Sequence, residues 1–288
     1  MVKRRMKIDK PDFSLKDIFP ESINHYSPHS SMKAKMEKIY PLLLEDEEDY
    51  IKKLPQLELH TSPSNEETLL RYDDEINKND LMNLYTRKLL NSDYSIRKYY
   101  DKIVTSSTIC PFCGKRHTTT VDHFLPKANY SNFSITPINL VPCCADCNKE
   151  KSDGVIASKE ELYFHPYEED ISTFKWLDAS ITIENNKILV NYFVTDKHID
   201  GITYSRMKRQ FDNLKLKEYY SIEGSLEFNR AKEFYSNLYK NKGGKLNLQN
   251  HFEMEREKAK YKEHGINSIE YVLYDTLINY IDDVITIL

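Results

Sequence analysis

The 288-residue sequence has only seven glycines and five cysteines, and it has no apolar run long enough to span a bilayer. Few glycines favour helices over a barrel, because tight β-turns and barrel corners use glycine where the backbone needs a positive φ. The lack of a long apolar run excludes a membrane-spanning helix. The basic N-terminus, MVKRRMK, is not followed by an apolar stretch either. We therefore expect a cytoplasmic protein with no membrane partner.

Four of the five cysteines form two C-x-x-C pairs, Cys110 with Cys113 and Cys144 with Cys147. Each pair makes a tight knuckle, and two knuckles supply the four thiolates of a tetrahedral zinc ion. The alternative is four ordinary buried thiols. Zinc is favoured over disulfides because we expect a reducing compartment, and over plain thiols because the segment is too short to form a core of its own. Cys143 has the wrong spacing for a ligand, so we expect it to pack beside the site.

Thirty residues separate Cys113 from Cys144, whereas a plain zinc ribbon usually has about 15–20 between its knuckles. This insertion is rich in polar chemistry. Asp122 and His123 stand side by side at the end of a β-branched run, Thr118 to Val121, which predicts a strand. A lone His beside an Asp is more often a surface pair than a catalytic one. These two residues suggest catalysis only because they lie between the two C-x-x-C pairs.

Two asparagines belong to the same segment. Asn139 lies in the sequence PINLVP, where it could also be simple turn chemistry, and Asn148 directly follows the last cysteine. A helix start near Asp146 places Asn148 and Lys151 one turn apart on the same face. Hydrolysis of a phosphodiester needs an activated water and neutralised phosphoryl oxygens, and one imidazole with one metal ion can divide those tasks.

The succession DHFLP, NLVP and CADCNKEK resembles the HNH endonucleases, whose ββα-metal fold often carries a zinc between two C-x-x-C knuckles. The resemblance covers about one seventh of the chain. It implies that His123 is the general base and that Asp122 and Asn148 bind a catalytic divalent ion. It also implies that Asn139 holds the loop that orients His123. Asn148 replaces the histidine of the family pattern, which favours Mg²⁺ or Mn²⁺ over a softer ion.

Two other functions fit part of this pattern. A non-catalytic zinc-stabilised module that binds nucleic acid or protein would use Asp122 and His123 only to finish a strand. A nuclease with the same chemistry could act on RNA, because such a module contacts phosphates and reads little sequence. A binding module does not need Asp, His and two Asn side chains in the segment that binds its zinc. We therefore expect a metal-dependent endonuclease acting on DNA.

The net charge of −4 is unusual for a nucleic-acid-binding protein, but the charges are segregated. Residues 41–80 hold twelve acidic and four basic residues, which we expect to form a solvated face. Residues 201–245 hold ten basic and five acidic residues. A basic surface of this kind can bind phosphates of any sequence. We expect phosphate contacts from Lys151, Arg206, Lys208 and Arg209.

The whole chain predicts an α+β protein that is mainly helical. Residues 1–105 have helical patterns joined by prolines, and residues 106–160 form the expected HNH module. Residues 161–200 predict a β-hairpin that turns at Asn185-Asn186, and residues 201–288 are helical again. The sequence predicts no oligomeric state.

Within these regions, Ser14 is the expected cap of a first helix that ends before Pro20, and a second helix is expected to end at Leu44. Residues 240–245, rich in lysine and glycine, predict a flexible basic loop. An apolar stripe at helical spacing runs over residues 269–285. We expect this stripe to be core, the alternative being a surface that docks a partner or a second copy.

His165 lies in an HPY sequence between the cysteine segment and the predicted hairpin. This order of features loosely resembles the HNH components of bacterial anti-phage systems that work with an ATPase, which implies a role in defence and an ATPase partner. The same HPY sequence is recurrent turn chemistry after such modules, so we expect His165 to be structural. Trp176, the single tryptophan, is expected in the core.

Overall fold

The computed structural model describes residues 7–72, 76–197, 199–241 and 243–288. It contains helices and two small two-stranded antiparallel sheets, so the expected mainly helical α+β fold is confirmed at that level. Two compact units are present: residues 7–169 form one, and residues 170–288 form the body of the other. Among the described residues, no helix combines the length with the apolar character that crossing a bilayer demands.

The described residues before the cysteine segment include five α-helices of the first unit: α1 (Leu15–Ile23), α2 (Ser31–Lys53), α3 (Asn65–Arg71), α4 (Lys78–Asn83) and α5 (Arg97–Thr105). Ser14 caps α1 as expected. Its hydroxyl accepts from the backbone N–H of Lys16, and the Asp17 carboxylate accepts from the Ser14 backbone N–H at 2.8 Å. Such a reciprocal cap satisfies two of the unpaired donors that every helix start leaves.

The predicted ends of the first two helices were wrong. Pro20 lies inside α1 and Pro41 inside α2, which continues past Leu44 to Lys53. A proline inside a helix removes one hydrogen bond, so burial has to outweigh its cost. The apolar face of α1 is fully covered, and α2 buries Tyr50 nine residues beyond its proline. Packing against the core therefore keeps both helices continuous.

The cysteine segment has the order strand, strand, helix: β1 (Thr120–His123), β2 (Leu140–Cys143) and α6 (Ala145–Glu150). The strands are antiparallel, with Thr120 opposite Cys143 and His123 opposite Leu140. β1 starts two residues later than the β-branched run predicted. Burial alternates along it, so Thr120 and Asp122 face one side while Val121 and His123 face the core. Val121, Ile135 and Leu140 join the apolar faces of the preceding helices in one core cluster.

The second unit contains β3 (Leu177–Glu184), β4 (Lys187–Val194), α7 (Gly201–Asn213), α8 (Leu216–Asn241), α9 (Gly244–Ala259), α10 (Ile269–Asn279) and α11 (Ile281–Ile285). The predicted turn is confirmed, because Asn185 and Asn186 both have positive φ, 48° and 62°. The sequence predicts the first strand of the hairpin from Thr173, but β3 starts at Leu177. The backbone N–H groups of Trp176 and Leu177 both donate to Asn267 Oδ1, at 2.9 and 3.1 Å.

The core of this unit contains Trp176, as expected. The C-terminal stripe is also core, since Val272, Leu273, Leu277 and Val284 are all buried. The prediction of a flexible loop over residues 240–245 was wrong in the length of the loop. α8 runs to Asn241 and α9 begins at Gly244, after Gly243 with φ 104°, while residue 242 lies outside the described residues.

Candidate functional site

The four cysteines of the two C-x-x-C pairs come together as expected. The sulfur atoms of Cys110, Cys113, Cys144 and Cys147 all lie within 4.8 Å of one another, and all four residues are buried. A tetrahedral zinc with bonds of about 2.3 Å places its sulfur ligands about 3.8 Å apart, so a small contraction closes the set. These cysteines can therefore hold a metal ion.

The electrostatics of the cluster also favour a cation. Burial raises the pKa of Cys110 well above its usual value, whereas hydrogen bonds from Cys110 and Cys113 lower the pKa of Cys144. Hydrogen bonds from the neighbouring thiols can thus stabilise one thiolate in the cluster. Four thiolates in a buried site need a divalent cation. Cys143 packs beside the cluster as expected, and burial raises the pKa of its thiol.

Asn139 is fully buried and holds the chain directly after His123. Its Oδ1 accepts from the Leu125 backbone N–H at 2.7 Å, and its Nδ2 donates to Leu125 O at 3.1 Å and Phe133 O at 3.2 Å. Its own carbonyl accepts from Phe124 N–H at 2.7 Å. A carboxamide that pairs both ways with one residue fixes that residue's backbone. This geometry suits the loop-holding role expected for Asn139.

His123 ends β1 with its ring in the core, and only 3% of the residue is exposed. Its Nε2 lies 2.8 Å from Ser134 O, so Nε2 carries the hydrogen and Nδ1 keeps the lone pair. Burial lowers the pKa of His123 to about 3, and the positive charges of Lys127 and Lys151 act in the same direction. The ring is therefore neutral at neutral pH, with a lone pair available to accept a proton, but so low a pKa also makes it a weak base.

Asp122 faces the opposite side of β1, towards α6. Its Oδ2 lies 2.9 Å from the Lys151 ammonium, which also donates to the backbone carbonyl of His123. Asn148 reaches the same face from α6, where its Nδ2 lies 3.4 Å from Thr120 Oγ1. With Nδ2 used in this way, the amide oxygen of Asn148 is the atom left for a metal ion. Asp122 and Asn148 are suitable donors for Mg²⁺ or Mn²⁺, although the Lys151 ammonium competes for the carboxylate.

The four residues expected to contact phosphate differ in their exposure. Arg206 was wrongly predicted: it is 2% exposed in the core of the second unit, because its position on α7 falls on the apolar face. Lys208 is exposed and pairs with Asp212 one turn along. Arg209 is half-buried, and the side chain of Lys151 is only 6% exposed in its ion pair. Of the expected set, Lys208 is the most accessible cation.

Two neighbours of His123 were not predicted as site residues. The Tyr85 ring packs edge-on against His123 with 4.3 Å between ring centroids, and the Tyr85 hydroxyl donates to Val121 O at 3.1 Å. Lys127 Nζ lies 5.3 Å from the centre of the Tyr85 ring. In the sequence Tyr85 fits an apolar stripe at helical spacing with Leu81, Leu84 and Leu89, and no spacing rule links it to a strand 36 residues away. Lys127 carries no motif signal of its own.

Comparison with known proteins adds one relative. No family model matches the chain, and no solved structure matches it. Fold and site define a mainly helical protein with a cluster of four cysteines that can hold a metal ion, around a strand–strand–helix segment.

The relative is protein ea31 of Escherichia phage lambda. The chain is similar to it over 95 residues with 44% identity, and the match covers 32% of each chain. The chain thus spans about a third of that relative's length, and the similarity concerns one segment of each protein.

Proposed function

We propose that the Cys110–Lys151 segment is a metal-dependent HNH-type endonuclease site that acts on DNA and is held together by a structural zinc ion. One observation carries the proposal. Beside the four-cysteine centre, the fold brings a carboxylate and a carboxamide to the same face of a strand–strand–helix unit, Asp122 from β1 and Asn148 from α6. The imidazole of His123 follows directly on the same strand.

In this proposal four polar residues divide the tasks. Asp122 and Asn148 would hold a divalent ion, which supplies charge neutralisation for the phosphate and the leaving oxygen when it is bound. The ring hydrogen of His123 stays on Nε2, which donates it to Ser134 O. The lone pair on Nδ1 accepts the proton of the attacking water. Asn139 keeps the backbone after His123 in place. DNA is preferred to RNA on the HNH resemblance, and an anti-phage role with an ATPase partner is proposed on the order of features alone.

A second candidate function rests on the burial of His123 and on the ion pair of Asp122. His123 is 3% exposed beneath Tyr85, and Lys151 neutralises Asp122 at 2.9 Å. Each residue thus already has a partner within the fold, His123 in Ser134 O and Asp122 in Lys151, as it would in a zinc-stabilised module that binds nucleic acid or protein without cleaving it.

One experiment separates these functions. Purified protein is incubated with supercoiled plasmid and with single-stranded RNA, each with Mg²⁺, with Mn²⁺ and with chelator. The proposal expects cleavage of plasmid that needs a divalent ion and disappears in His123→Ala. Binding without cleavage under all conditions supports the second candidate, and cleavage of RNA alone corrects the substrate.

A further inference from the structure

Three buried side chains from distant parts of the first unit form a single hydrogen-bond chain. Tyr50 comes from α2, Asn139 lies just before β2, and His165 follows α6; their exposures are 0%, 0% and 1%. Tyr50 Oη lies 3.1 Å from Asn139 Oδ1 and 3.2 Å from His165 Nε2. Since all three groups are shielded from water, these bonds are made within the protein or not at all.

The direction of the chain follows from its His165 end. The Tyr167 backbone N–H donates to His165 Nδ1 at 3.3 Å, so Nδ1 bears the lone pair and Nε2 bears the hydrogen. His165 Nε2 then donates to Tyr50 Oη, and the Tyr50 hydroxyl donates to Asn139 Oδ1. Every hydrogen in the chain thus points towards Asn139.

At the other end, Asn139 Oδ1 accepts from two donors, the Tyr50 hydroxyl and the Leu125 N–H. Its Nδ2 donates to two acceptors, Leu125 O and Phe133 O. The carboxamide is therefore fully occupied and cannot rotate without breaking several bonds. Without the Tyr50 hydroxyl, Oδ1 would keep one donor and the amide would be held less firmly.

We infer that Tyr50 and His165 are positioning residues for the proposed nuclease. They act through Asn139, whose amide and carbonyl fix the backbone of Phe124 and Leu125, the two residues after His123. The inference rests on the proposed function and extends the site beyond the Cys110–Lys151 segment, to α2 on one side and to the HPY sequence on the other.

The test measures kcat and KM for plasmid cleavage in Mn²⁺ for wild type, Tyr50→Phe, Asn139→Ala and the double variant. Loss of one buried hydrogen bond is expected to lower kcat about tenfold in Tyr50→Phe and leave KM within about twofold. In the Asn139→Ala background, Tyr50→Phe is expected to cause no further loss, because its effect passes through Asn139.

Tyr192→Phe is the matched control. Tyr192 is equally buried, and its hydroxyl donates to Ile269 O at 2.9 Å in the other unit. Its removal is expected to lower the urea midpoint while kcat stays at the wild-type value. Should Tyr50→Phe fail to fold, His165→Leu serves the same cycle. It removes the donor to Tyr50 Oη and is expected to lower kcat about threefold, again without further loss in the Asn139→Ala background.

The outcomes are distinct. A fall in kcat that vanishes in the Asn139→Ala background supports the inference. An active wild type with unchanged kcat in Tyr50→Phe, or losses that add in the double variant, overturns the inference and leaves the proposed function standing. A wild-type protein that cleaves no plasmid with Mg²⁺ or with Mn²⁺ overturns both the inference and the proposed function.

Discussion

At the scale of single residues, Asp122 and His123 show how a strand gives neighbours different environments. Asp122 faces α6 and Lys151, whereas His123 faces the core beneath Tyr85. Alternation along β1 enforces this difference, since successive side chains point to opposite faces. A carboxylate beside a helix and a shielded neutral imidazole cannot have the same task, so their substitutions should differ in response to metal.

We expect His123→Ala to lower the cleavage rate about 10²–10⁴-fold at every Mn²⁺ concentration, because a missing general base cannot be replaced by metal. Asp122→Ala is expected to lose activity through metal affinity and to recover part of it at high Mn²⁺. Cleavage rates measured against Mn²⁺ concentration distinguish the two. Equal recovery of both variants contradicts this division of tasks.

Lys151 gives a second prediction at this scale. Its ammonium lies 2.9 Å from Asp122 Oδ2, and its side chain is 6% exposed, so it competes with any cation for that carboxylate. Lys151→Met is expected to bind Mn²⁺ about tenfold more tightly, since it keeps the apolar stem and removes the positive charge. Without metal the same variant should unfold at lower urea. Titration calorimetry with Mn²⁺ provides the measurement, and Lys149→Met, on the exposed side of α6, is the control.

At the scale of elements, the two cysteine knuckles hold β1, β2 and α6 together. Cys113→Ser is expected to lose one zinc per chain and to unfold this segment, because a structural zinc contributes on the order of 10 kcal/mol to folding. Cys143→Ser is the control, since Cys143 is buried beside the cluster but is not one of the four. Elemental analysis and hydrogen exchange over residues 106–160 supply the readout. Protein that is purified without chelators and carries no metal would contradict the zinc assignment.

Helix α7, the turn after it and the first residues of α8 present three exposed lysines of the basic stretch. Lys208, Lys215 and Lys217 are exposed, whereas Arg206 belongs to the core. Changing these three lysines to Glu is expected to weaken binding to all duplexes alike and to reduce the slope of log K against log salt by about one for each lost contact. Lys187→Glu in the β-hairpin is the single-charge control. An unchanged slope in the triple variant means that this surface does not contact phosphate.

At the scale of the whole molecule, the C-terminal helices complete the core of the second unit. The Asn267 side chain accepts from the backbone N–H groups of Trp176 and Leu177 at the start of β3. Val272, Leu273 and Leu277 are buried. Removing residues 267–288 is therefore expected to give an insoluble product. Tyr280→Ser, at a 38%-exposed position of the same stripe, should change the free energy of unfolding by less than about 1 kcal/mol. A soluble, folded truncated chain would revive the docking interpretation of the stripe.

Local patterns predicted much of this architecture. The cysteine spacing predicted a convergent ligand set, the Asn185-Asn186 pair predicted a hairpin, and the Ser14 cap predicted the start of α1. These features depend on a few neighbouring residues. The candidate catalytic and metal-binding residues were read from one segment, and their roles stay predictions.

Contacts between distant segments were not predictable in the same way. The pairing of Tyr50 with Asn139 and His165 joins elements up to 115 residues apart, and no sequence period encodes it. The burial of Arg206 was missed for a related reason. A basic residue in a basic stretch was assigned to the surface, although its helical position places it towards the core.

The placement of the cysteine segment after five helices has a consequence for biosynthesis. α1 to α5 leave the ribosome before Val121, Ile135 and Leu140, which complete the core cluster of the first unit. Until these residues and the second knuckle are translated, the nascent helices expose apolar surface that favours aggregation. The four cysteines can hold a metal ion only once Cys147, near the middle of the chain, has been translated. Cells starved of zinc should accumulate the full-length chain in an aggregated form, whatever the rate of its synthesis.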